Sequence, residues 1–252
     1  MFKRAALVAS VVMGLGGSFS GAAVVTAWNF EELATAINNA PTPSVGSGVA
    51  QPLGMTNTFT TLPSVTTADV LVNLGSTGPA VGNKAWRIRS AGTGIGNGWA
   101  AAAPQYTQGA QFLSSTAGFE NVVLTYDWQP TSMGVKHQQA QYTVDGLTWT
   151  NVGPVRVGPA TEGFVNGLTV DFAALGVAGV SDNALFGVRI MSAFAPDGAN
   201  AGQYVNLAGN VINSTSGNWR LDSIVISGTV IPEPASLGLL GLGSVVLLRR
   251  RA

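Results

Sequence analysis

The feature that most restricts the fold is an alternation of apolar and polar residues with a period of two, broken by turn residues about every dozen positions. Within residues 119–128, Val122, Leu124, Tyr126 and Trp128 project to one face while Val123, Thr125 and Asp127 project to the other. The same period runs through Ala140, Tyr142 and Val144 and through Phe186, Val188 and Ile190. Trp219 to Gly228 reads as a strand with a more continuously apolar end. Successive side chains of a strand point to opposite faces, so each of these segments has one face to bury. Asp145-Gly146 separates Tyr142-Thr143-Val144 from Leu147-Thr148-Trp149 and predicts a tight hairpin, because this dipeptide takes the turn that matches strand twist. Strands are also predicted at 23–30, 55–61, 84–90, 110–115 and 167–172, for a count of nine or ten. Phe30, Leu33, Ala34 and Ile37 share helical spacing over one short turn, while 40–52, with three prolines, and 92–104 read as long loops. Many short strands and few helices predict an all-β, antiparallel two-sheet sandwich of jelly-roll type.

The two ends do not belong to that sandwich. Met1-Phe2-Lys3-Arg4, the apolar run Ala5 to Leu15 and the small residues up to Ala23 follow the three-part plan of a secretory signal peptide, the kind of leader handled by the Sec machinery. Cleavage is expected after Ala22 or Ala23. At the other end Pro232-Glu233-Pro234 precedes an apolar stretch, Ala235 to Leu248, and then Arg249-Arg250-Arg251. A helix over that stretch rises about 21 Å, short of a hydrocarbon core of ~30 Å, but snorkelling arginines and local thinning would let it insert with the arginines on the cytoplasmic side. The expected organisation is therefore a signal peptide at 1–23, a sandwich at 24–231 and a sorting tail at 232–252 with a short transmembrane helix.

The tail VIPEPASLGLLGLGSVVLLRRRA resembles the PEP-CTERM sorting signals of Gram-negative bacteria. The resemblance implies recognition by an exosortase through Pro232, Glu233, Pro234 and the cluster Arg249, Arg250, Arg251. It further implies transient anchoring in the inner membrane, cleavage near the Pro-Glu-Pro, and release to the cell surface or the exopolysaccharide matrix. AWNFEEL, QAQYTVDGLTWTNVG, LFGVRIMSAF and NWRLDSIVISG resemble landmarks of the galactose-binding-like or concanavalin-like sandwiches that precede such tails. That second resemblance bears on the fold more than on the function.

The chain has no cysteine, which removes disulfides, thiolate metal sites and a cysteine nucleophile. Residues 24–231 hold seven basic and eleven acidic side chains, a net charge of −4 without basic runs, which argues against nucleic acid as a partner. His137, the only histidine, lacks the surroundings of a nucleophile elbow and is expected to be an exposed structural residue. Glycoside hydrolysis needs two carboxylates flanking the bond, but no spacing pairs any of the acidic residues. The run Gly92 to Gly98 fails the dinucleotide fingerprint and lacks a βαβ unit. No cofactor is demanded; a structural calcium ion held by carboxylate and carbonyl oxygens is the one that the chemistry admits, although no EF-hand loop is present.

Tryptophan can stack on the apolar side of a sugar ring. Trp128, Trp149 and Trp219 fall in predicted strands and are expected in the core, which leaves Trp99, beside the Gly-rich run, as the exposed candidate for ligand binding. Arg220 and Asp222 are expected to share a face with Ile224 and Ile226 and to join an ion-pair network there. The reading that follows is a non-catalytic, exported surface or matrix protein that binds exopolysaccharide. A polysaccharide-degrading enzyme on the same sandwich and a protein-binding surface adhesin stand beside it as alternatives.

Overall fold

Leu124, Tyr126 and Trp128 share one face of a long strand, and Leu221, Ile224 and Ile226 share one face of its neighbour; all six are fully buried. The computed structural model describes residues 21–34, 36, 38–54, 66–72, 75–76, 83–90, 99–212 and 217–232. The predicted terminal helices, the strand at 55–61 and the Gly92–Gly98 run lie outside these residues. In chain order the strands are β1 (Ala22–Trp28), β2 (Val49–Leu53), β3 (Thr66–Val72), β4 (Lys84–Ser90), β5 (Gly109–Leu113), β6 (Phe119–Pro130), β7 (His137–Thr143), β8 (Thr150–Val157), β9 (Val165–Asp171), β10 (Gly187–Ser192) and β11 (Trp219–Val230).

They form a six-stranded sheet, β3-β4-β11-β6-β9 with β1 also paired to β11, and a five-stranded sheet, β2-β5-β10-β7-β8. Every strand pair is antiparallel. The inner faces meet in one core, where Phe112, Val188, Ile190 and Ala140 of the five-stranded sheet oppose Leu124, Trp128, Leu221 and Ile226 of the other. This is the expected all-β, jelly-roll-type sandwich. Tyr126 and Gln138 bridge the two layers, each donating to the other's oxygen at 3.0 and 2.7 Å, so the fully buried Gln138 amide is satisfied.

The segment from Phe30 makes the one short turn expected, Leu33 N donating to Phe30 O at 3.2 Å. Three local expectations are corrected. Segment 40–52 is not all loop, because β2 begins at Val49 and carries Pro52 within it; as an edge strand it tolerates a residue with no N–H to donate. Leu147-Thr148-Trp149 is not a strand: the Asp145-Gly146 turn widens into a loop that ends only at Thr150. Finally, two residues of β11, Ser223 and Ile224, lie opposite one of β6 between the pairs Asp222/Asp127 and Val225/Thr125. This bulge, with Ser223 at a φ of 49°, reverses the alternation, so Ile224 and Ile226 face the core while Arg220 and Asp222 face outward.

Candidate functional site

The outward residues of the five-stranded sheet follow from its register. Gln51 of β2 pairs with Gln111 of β5, Gln111 with Arg189 of β10, Arg189 with Gln141 of β7, and Gln141 with Asn151 of β8. One row of long polar side chains thus crosses all five strands, with Gln51 and Arg189 half-buried, Asn151 exposed and Gln111 and Gln141 buried, while their neighbours Ala50, Phe112, Val188 and Ala140 fill the core. Within the row the Arg189 Nε donates to Gln111 Oε1 at 2.8 Å and Gln141 Nε2 donates to Asn151 Oδ1 at 2.9 Å. Arg189 is its only charged member.

An aromatic ring lies on this row. The Arg189 guanidinium sits 3.8 Å from the centre of the Trp149 ring, within cation–π range. Two features of the chain put Trp149 there. Asp145 Oδ1 accepts from the backbone of Leu147 at 2.8 Å and of Thr148 at 2.7 Å and from Thr143 Oγ1 at 2.9 Å, and Gly146 supplies a φ of 73°, so the loop is closed by its own side chain and delivers Trp149 back over the sheet. Gly187, the next outward position of β10, leaves the ring its seat: a Cβ there would stand 3.2 Å from Trp149 and 2.6 Å from the Leu113 side chain. The backbone N–H groups of Thr148 and Leu147 hold the Asp145 carboxyl well below the usual carboxylate range, and burial pushes the Arg189 guanidinium down to about 10.

Two hollows flank the row. Beside Trp149, a pocket of about 320 Å³ is lined mainly by Ser47, Val49, Leu113, Ser114, Leu185 and Phe186. At the other end of the same sheet, a pocket of about 350 Å³ lies between Lys136, His137 and Val157 and the loop carrying Asp197 and Asn200.

The residues singled out in the sequence are placed differently. Trp99, expected to be exposed, is fully buried: the Gln108 amide accepts from Ala100 N at 2.7 Å and donates to Ala100 O at 3.1 Å, drawing the segment into the core, where the Trp99 ring stands 4.6 Å from Trp219. Trp99 therefore offers no stacking surface. Five of the six tryptophans are fully buried, and Trp149, expected in the core, is the sixth. His137 is also buried rather than exposed, with Nδ1 lacking a partner, and burial together with Lys136 lowers its pKa. Pro232 is exposed just after β11; Glu233, Pro234, Arg249, Arg250 and Arg251 lie outside the described residues.

Arg220 does join an ion pair, but with Glu162 and not with Asp222. Arg220 Nη1 stands 3.5 Å from Glu162, while Asp222 lies directly across from Asp127 on the outer face of the six-stranded sheet. Ser76 ties the two carboxylates together, its N–H donating to Asp222 Oδ2 at 2.8 Å and its Oγ to Asp127 Oδ2 at 2.5 Å. Gly167 N donates to Asp127 Oδ1 and Ser223 N to Asp222 Oδ1, both at 2.6 Å. Burial raises the Asp222 carboxyl to about 6, with Asp127 adding a smaller push. No spacing in the sequence announces this pair, because it depends on the register between β6 and β11. Among the described residues no three Asp, Glu or His side chains gather to hold a metal, and no helix is long and apolar enough to cross a membrane.

Comparison with protein families matches residues 230–252 to the PEP-CTERM protein-sorting motif. No curated protein matches the chain. Among solved structures, the chain is similar to the enzymatically active domain of tailspike protein 4 of Bacteriophage CBA120, at 10% identity and a TM-score of 0.31, over 73% of this chain and 19% of that one. It is also similar to the CBM22-1 and GH10 modules of the Clostridium thermocellum N-terminal endo-1,4-beta-D-xylanase 10B, complexed with xylohexaose, at 10% identity and a TM-score of 0.30, over 73% of this chain and 30% of that one. The chain thus spans less than a third of either protein.

Proposed function

We propose that this chain, which carries a PEP-CTERM sorting motif and is therefore an exported protein processed by exosortase and sorted to the cell surface, works there as a non-catalytic glycan-binding module. Its ligand is the exopolysaccharide of a Gram-negative surface or matrix, which it reaches after transient anchoring in the inner membrane by the apolar stretch of its sorting tail. The observation that supports this reading is Trp149, partly exposed on a polar row whose members Gln51, Arg189 and Asn151 also reach the surface. Side-chain amides both donate and accept, which matches vicinal sugar hydroxyls, and an indole ring matches the apolar side of a pyranose. Because these groups stand on one sheet, the backbone ladder fixes their spacing before a ligand arrives, which lowers the ordering cost of binding.

Binding of the full chain, purified in mild detergent, to the producing cell's own exopolysaccharide tests the reading, with the polymer's chain length followed in the same sample. Saturable binding that leaves chain length unchanged is the expected result. Absence of binding would overturn the reading.

One observation favours the enzyme alternative. Asp127 and Asp222 are adjacent carboxylates, one with its pKa raised, as an acid catalyst requires. Against it, both are buried and their oxygens accept from Ser76, Gly167 and Ser223, which suits a structural clamp. Shortening of the polymer by wild type but not by Asp127→Asn would establish the enzyme in place of the module.

A further inference from the structure

We propose that the glycan bound on this face is acidic, and that Arg189 binds a carboxylate carried by its sugar units. The proposal rests on the reading of the face as a glycan site and deepens it.

A half-buried arginine is ordinarily matched by a carboxylate from its own protein. Arg189 has none among the described residues: its neighbours in the row are Gln111 and Gln141, its Nε is bonded to Gln111, and its guanidinium rests on Trp149. Nothing among the described residues accepts from its two Nη groups. Gln111 thus fixes the plane of the guanidinium while its far edge, the edge that binds carboxylates bidentately, is left for a ligand. Gln51 and Asn151, at the two ends of the row, are neutral amides that reach the surface and can bind the hydroxyls of the same sugar units, while Gln111 and Gln141 are buried. The net negative charge of the domain does not decide the matter, because exposed charges more than about 10 Å away are largely screened at physiological ionic strength.

The test uses the full chain in mild detergent with polygalacturonate, alginate and hyaluronate, each beside its carboxyl-reduced form, in which the acid has become an alcohol on an unchanged backbone. Wild type is expected to bind at least one acidic polymer about tenfold more tightly than its reduced partner, a preference that falls as sodium chloride is raised. Arg189→Gln should equalise the two forms, and Arg189→Lys, which keeps the charge without the fork, should fall between. The wild-type comparison stands even if the variants do not fold. Equal binding to acidic and reduced polymers would overturn the acidic ligand while leaving the glycan-binding reading in place. Binding to none of the six, nor to the cell's own exopolysaccharide, would overturn both.

Discussion

Asp222 is stabilised in its protonated form, because its folded-state pKa of about 6 lies above the ~3.9 of an unfolded aspartate. Its contribution to stability is therefore complete below about pH 4 and is lost as pH rises through 6, a change on the order of 3 kcal/mol. Asp222→Asn, uncharged at every pH, should gain in unfolding free energy on wild type between pH 4 and pH 7; a constant difference across that range, measured by urea unfolding, would refute the assignment. Asp145 works in the opposite direction, since its depressed carboxyl adds stability that disappears only on strong acidification. The two tryptophans separate in the same way. Trp99→Ala should cost about 3–5 kcal/mol, as expected for deletion of a buried aromatic. Trp149→Ala should lower stability much less, and exopolysaccharide binding much more; thermal unfolding of both variants checks the contrast.

At the level of elements, β11 is the strand on which most depends, since β1, β4 and β6 all pair with it. It also runs directly into the sorting motif: Val230 still pairs with Phe119, and Ile231 N donates to Gly118 O at 2.9 Å. Pro232 is thus held within a residue of the sheet, and a protease-sized partner must approach the tail against the folded domain. Insertion of a Gly-Ser spacer after Ile231 should speed exosortase processing in cells without altering the melting temperature; an unchanged rate would show that the short connection is no obstacle. The strands themselves were legible because Leu124, Tyr126 and Trp128 repeat at period two. The bulge at Ser223 was not, because nothing in Asp222-Ser223-Ile224 marks which residue is extra, and it turns Ile224 and Ile226 to the core while Arg220 and Asp222 face outward. Asp145-Gly146 gave the turn its place, but the length of the loop depends on how many backbone N–H groups Asp145 gathers.

For the whole molecule, the address was readable in a contiguous stretch of sequence, whereas the surface that would do the work was not. The sorting motif is local, so Pro232 and its neighbours identify it by themselves. The polar row is assembled from five strands spread between Gln51 and Arg189, and no segment contains more than two of its members. Trp99 beside its glycines suggested exposure, yet Gln108, bonded to Ala100 next to it, pulls it inward. The central claim is that the outer face of the five-stranded sheet, and not that of the six-stranded sheet, contacts the glycan. Calorimetric titration of the cell's exopolysaccharide into the double variant Trp149→Ala/Asn151→Ala and into Thr125→Ala, on the opposite sheet, separates the two faces. At least about a tenfold loss of affinity is expected in the first and none in the second, the size that follows when stacking and hydrogen bonds are removed together. Full affinity in the double variant with loss in Thr125→Ala would contradict it.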